Sequence, residues 1–174
     1  MKQLAVAVVI CAAFSARATV LVPLDTKALT ERAERVVLGT VESEVAHWSA
    51  DHQAIYTDVT IRVARVYKGA AKPGDRVVVR REGGALDGVG MRVYGAATFV
   101  VGEEVVVFME TRGNAAWTVG MTQGKLRVTL GTDGVKRVSA AIGDVAFTRP
   151  NTKALSEPRR LDDFEREVRS YVTK

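Results

Sequence analysis

The chain has 174 residues, 47% of them hydrophobic and 26% charged, with 25 Lys and Arg against 20 Asp and Glu for a formal charge of +5. One domain with one buried core is the reading for this length. The basic excess is mild and interspersed, as at Arg62, Arg65 and Lys68, which argues against the concentrated basic stripe of a nucleic-acid binder.

Met1 and Lys2 lead into an apolar run from Leu4 to Phe14 that closes on the small-residue triplet Ala16-Arg17-Ala18. A cationic start, a short apolar stretch and an A-x-A site make a secretory signal peptide, and the run is too short for a spanning helix. Residues 1–18 are therefore expected to be removed after Ala18. The protein then works in the periplasm or beyond it, with no transmembrane segment left. The single cysteine, Cys11, leaves with the signal segment, so the mature chain from Thr19 to Lys174 has no thiol. That excludes a disulfide framework, a thiolate metal site and a cysteine nucleophile together. Val8-Val9-Ile10 lack the small residue that normally precedes a lipidated cysteine, so Cys11 is not read as an anchor.

After a short apolar lead-in, Asp25 or Thr26 can cap a helix from Lys27 to about Arg35, with Leu29, Ala33 and Val36 as its apolar stripe. From Val37 to Val45 the pattern alternates, which predicts a long strand. Tyr56 to Val63 is the clearest strand, with Val59, Ile61 and Val63 on one side and Asp58, Thr60 and Arg62 on the other. The apolar parity then slips at Ala64, which predicts a β-bulge or strong bend there.

Pro73-Gly74-Asp75 makes a turn into a strand at residues 76–80. Between Gly83 and Gly102 lies an irregular glycine-rich segment that reads as a bulged crossover or a binding loop. Residues 103–109 form a strand with apolar residues on both parities, so both of its faces are expected to be covered. Gly113-Asn114 turns the chain into residues 116–121. Lys125 to Leu130 is a further strand, and Asp133-Gly134 is a hairpin signal into Val135 to Val138. Residues 141–160 read as an arm. Leu161, Phe164, Val168, Tyr171 and Val172 then make the stripe of a closing amphipathic helix, expected to dock back onto the sheet.

The expected fold is mainly β, a small coiled antiparallel β-barrel of OB type with an N-terminal and a C-terminal helix. Residues 19–140 make the barrel and its leading helix; residues 141–174 make the arm and the last helix.

Three runs carry a family resemblance: Glu31 to Val41, then Val63 to Gly69 with Gly74-Asp75 close behind, then Phe99 to Phe108. Over about residues 28–110 the chain resembles bacterial secreted proteins with a netrin-like, tissue-inhibitor-of-metalloproteinase-like domain. It also resembles uncharacterised secreted bacterial proteins of the same pattern, through Thr122 to Val128. The resemblance implies an OB-type barrel and a protease as the partner class. Inhibitors of that family chelate zinc through a disulfide-held amino-terminal cysteine. This mature chain starts Thr19-Val20 without one, so the inhibitory chemistry does not carry over, and nothing in the sequence pins the terminus.

The chemistry-bearing residues are few. His47, Asp51 and His52 fall in the predicted loop between the first two strands, where two imidazoles and a carboxylate are an incomplete zinc set. No nucleophile elbow is present, so no catalytic residue is assigned and no cofactor is expected. Trp48, at the same loop, is either folded over the barrel end or offered to a partner. With Tyr56, Leu86, Met91 and Tyr94 it makes the expected recognition edge. The leading expectation is a secreted, non-catalytic binding module for another extracytoplasmic protein, with a protease that it restrains or assists among the candidates. The alternatives are an envelope carbohydrate or polymer binder using aromatics such as Tyr56 and Trp117, and a metal-dependent hydrolase built on His47, Asp51 and His52.

Overall fold

The computed structural model describes residues 19–140, 145–148 and 157–172; the expected signal peptide and most of the arm lie outside them. The fold is mainly β. Strand β1 (Thr19–Leu21) precedes helix α1 (Thr26–Arg32), and two long strands follow, β2 (Arg35–Trp48) and β3 (Ile55–Lys68). Strand β4 (Arg76–Glu82) leads to the short pair β5 (Gly84–Leu86) and β6 (Val89–Met91), then β7 (Glu104–Arg112) and β8 (Ala115–Thr118). A 3-10 turn (Met121–Gly124) enters β9 (Lys125–Leu130), followed by β10 (Lys136–Ala140), β11 (Val145–Phe147), β12 (Arg159–Arg160) and helix α2 (Leu161–Val172).

Eight strands form one sheet in the order β12-β10-β9-β7-β2-β3-β4-β8, and β8 pairs again with β7, so β7, β2, β3, β4 and β8 close a ring of five. The ring's last contact is narrow: β4 meets β8 through the single parallel pair Arg80 and Trp117. With β1 and β11 also parallel, the pairing is mixed where the sequence led us to expect antiparallel strands alone.

The bulge expected at Ala64 is present. Leu38 faces Arg65 and Gly39 faces Val63, so Ala64 has no opposite residue, and a second irregularity at Glu42 bends β2 in turn. These kinks let two 14-residue strands wrap around the ring. Strand β7 is covered on both faces, as its pattern implied. Val105, Val107 and Met109 join the core inside the ring with Val59, Ile61 and Val79. Val106 and Phe108 join the second core, under the helices, with Leu29, Leu38, Leu161, Phe164 and Val168. Phe164 meets Phe108 edge-on at 6.2 Å, so the stripe of α2 docks on the sheet as expected.

Three boundaries differ from expectation. Helix α1 stops at Arg32 because the Glu34 amide donates to Met109 O, and the chain is already pairing with β7. Strand β2 runs three residues past Val45, which makes His47 and Trp48 strand residues rather than loop residues. The glycine-rich segment contains the hairpin β5–β6, turned by Asp87 and Gly88 at φ 51° and 78°. The segment from Thr19 to Leu24 is also pinned. Strand β1 lies along β11, Gln123 Oε1 accepts from the Leu24 amide at 2.8 Å, and Gln123 Nε2 donates to Val22 O at 3.1 Å. Among the described residues no helix is long and apolar enough to cross a membrane.

Candidate functional site

The helices cover one part of the outer sheet surface and leave another bare. Strand alternation places Val45 and His47 of β2, Tyr56, Asp58 and Thr60 of β3, and Val78 and Arg80 of β4 on that bare face. Val45 is 60% exposed and Val78 47% exposed. One lateral row crosses it from strand to strand: Glu110 of β7 is opposite Trp117 of β8, Trp117 opposite Arg80, Arg80 opposite Asp58, and Asp58 opposite Val45.

Charge on the face is ordered by pairing. Arg80 holds Asp58 in a fork, Nε to Oδ1 at 2.7 Å and Nη2 to Oδ2 at 2.8 Å. That contact holds the Asp58 carboxyl below its usual range and raises Arg80. His47 Nε2 approaches Asp58 Oδ2 at 3.3 Å. Glu42 receives Arg62 and, at 2.6 Å, Arg76, and its carboxyl is lowered by both, Arg76 first. Tyr56 packs edge-on to Trp117 with ring centres 5.7 Å apart, and the Arg80 guanidinium lies 5.9 Å from the Tyr56 ring.

Beside the Arg80–Trp117 pair opens a cleft of about 160 Å³. Arg80, Arg81 and Arg112 line it, with Glu82 the only acid among the described lining residues and Trp117, Ala97 and Met121 among its less polar walls. Met121 has φ 60°, left-handed backbone that a non-glycine residue rarely adopts, and the next amide, of Thr122, donates to Gly95 O.

The expected recognition edge is divided by the fold. Trp48 is half-buried at the end of β2, where its indole N–H donates to Asp87 Oδ2 at 2.9 Å. Leu86 is in the hairpin that carries Asp87, and Met91 Sδ accepts from the Ile55 amide at 3.4 Å, so these three gather at one hairpin end. Tyr56 projects to the opposite side of the β2–β3 hairpin, toward Trp117. Tyr94 is 45% exposed beside Arg92, whose guanidinium is 5.1 Å from the ring.

The three expected metal candidates do not converge. His47 turns to Asp58, His52 stacks on Trp48 with ring centres 6.0 Å apart, and Asp51 is bound into its own turn by the Ser49 hydroxyl and the Gln53 amide. Among the described residues no cluster of three or more His, Asp or Glu is arranged to hold a metal. Arg80, Arg81 and Arg112 carry no signal of a site in the sequence, because charged residues at the end of a strand (Arg80-Arg81-Glu82) or just before a turn (Arg112 before Gly113-Asn114) read as solvated. The register that gathers them is set by pairings between distant strands.

No protein-family model matches this chain, and no curated protein matches its sequence.

Proposed function

We propose that this chain is a secreted, non-catalytic module that binds another extracytoplasmic protein, built on an OB-type barrel of the netrin-like kind. The observation that carries the reading is the bare outer face of β2, β3, β4 and β8. Valines stand exposed there between ion pairs that are already formed, and a surface with its charges locked before contact loses little side-chain entropy on binding. Its titratable groups are engaged with one another, an arrangement that suits recognition better than proton transfer. The resemblance over residues 28–110 makes a protease the partner class to examine first.

The test is affinity purification with residues 19–174 from the envelope of the source cell, beside a Val45→Arg/Val78→Arg variant, followed by mass spectrometry and a protease assay of what co-purifies. One stoichiometric protein lost with the variant supports the reading. A protein retained equally by the variant, or none at all, refutes it.

A second reading, an envelope-polymer binder, is favoured by the edge-to-face Tyr56–Trp117 pair beside the cleft. Glycan binding lost in Trp117→Ala would support it.

A further inference from the structure

We propose that the cleft between β4 and β8 receives one acidic side chain, Glu or Asp, of the protein partner; this rests on the binding-module reading and names what the partner must present. Three arginines, Arg80, Arg81 and Arg112, are among the residues that line the cleft, with Glu82 the one acid among the described lining residues. The acids that neutralise them approach from outside the lining: Asp58 for Arg80, Glu44 for Arg81 and Glu110 for Arg112.

Donors remain. Each guanidinium has five N–H bonds. Asp58 takes Nε and Nη2 of Arg80, and Glu110 takes Nε and Nη2 of Arg112, so the Nη1 group of each has no hydrogen-bond partner among the described residues. Arg81 gives Nη2 to Glu44 and Nη1 to Gly83 O, while its Nε is buried and makes no hydrogen bond among the described residues. The Nη1 groups of Arg80 and Arg112 are the donors an incoming carboxylate oxygen would accept from. Arg112 is the adaptable member: its pair with Glu110 is on the surface, half-exposed on the arginine side, and is cheap to exchange.

Size and wall chemistry select the carrier of the carboxylate. The space holds about one residue's side chain. Ala96, Ala97 and Met121 give its walls methyl and methylene surface, which suits the methylenes of Glu or Asp. Met121, at φ 60°, keeps a strained backbone at this wall, as binding sites often do. The cleft also adjoins the bare face at Arg80 and Trp117, so a partner seated on the exposed valines can reach in with one acid.

The experiment is an amide and side-chain NMR titration of the chain from Thr19 to Lys174 with acetyl-Val-Glu-Val-amide, its Gln counterpart and trigalacturonate. The Trp117 indole N–H and the Arg80 Nε–H are the reporters. Saturable shifts with the Glu peptide, at least about tenfold weaker binding of the Gln peptide, and an about tenfold loss in Arg112→Gln are the expected results. The variant's amide spectrum shows whether it is folded. Equal binding of both peptides, no shift with the Glu peptide at millimolar concentration, or a preference for trigalacturonate overturns the proposal. The outcome is separable from that of the purification experiment: a partner recovered there with no carboxylate effect here removes the cleft and leaves the binding face.

Discussion

The indole N–H of Trp48 donates to the carboxylate of Asp87, 39 residues later in the chain, at 2.9 Å. The contact ties the far end of the β2–β3 hairpin to the turn of β5–β6, so part of the glycine-rich segment is fastened to the long hairpin. Close backbone packing makes the fastening possible. Gly84, at φ 152°, sits where a Cβ would come within 2.5 Å of Thr57 Oγ1.

Asp87→Ala is expected to lower stability by about 1 kcal/mol, the net worth of one partly exposed hydrogen bond. It should also speed amide exchange across residues 84–91 while leaving β7 protected. Urea unfolding and hydrogen exchange check both, and unchanged exchange in the hairpin would show that the contact does not hold it.

Gly39 faces Val63 beside the unpaired Ala64, and a Cβ there would lie 2.3 Å from Arg62 O and 2.7 Å from Ile61 Cγ2. The first of these is backbone and cannot step aside. Gly39→Ala should therefore cost about 2 kcal/mol or more, by forcing the bulged strand pair apart. A variant with wild-type urea midpoint would contradict this geometry.

Acid should weaken the fold in a way that Asp58 makes visible. Its carboxyl is held below the ordinary 3.8, chiefly by the Arg80 hydrogen bonds. The folded chain thus holds fewer protons than the unfolded chain in that range. The stabilisation is complete above the unfolded value and disappears as pH falls through the folded one. Asp58→Asn should lose about 1 kcal/mol at neutral pH, and the gap to wild type should narrow as pH falls below the ordinary carboxylate range. A gap that does not narrow on acidification would mean the pair acts through packing alone.

Lys125 is 2% exposed and its Nζ meets Glu103 Oε1 at 2.8 Å, with the ammonium 5.4 Å from the Phe99 ring. Burial pushes the Lys125 ammonium below its usual pKa even with that partner. Lys125→Met leaves Glu103 with Arg127 at 3.1 Å and the Val100 amide at 2.8 Å, and should cost about 3 kcal/mol. Lys125→Met/Glu103→Leu should recover most of that loss, since it removes both buried charges. Additive losses in urea unfolding would show that the two residues act separately.

Local pattern carried much of the fold. The parity slip at Ala64, the two-faced apolar run at Val105 to Met109, and the stripe of Leu161, Phe164 and Val168 all appear where the sequence put them. The reason is that strand and helix periodicities are set by neighbours a few residues away. Asp133-Gly134 turned a hairpin as expected, since β9 and β10 pair from Leu130 and Lys136 inward.

The sequence by itself determined a mainly β chain with a capped helix before the long strands and an amphipathic helix after them, because burial patterns are written into each segment. Only the tertiary structure decided which of its side chains meet. Trp48 and Tyr56 are eight positions apart, yet one turns to Asp87 and the other to Trp117, because adjacent cross-strand pairs of one hairpin project from opposite faces. The cleft is likewise a product of closure: Arg80 and Trp117 come together through the single pair that joins β4 to β8, and no local pattern encodes a contact between strands so far apart in the chain.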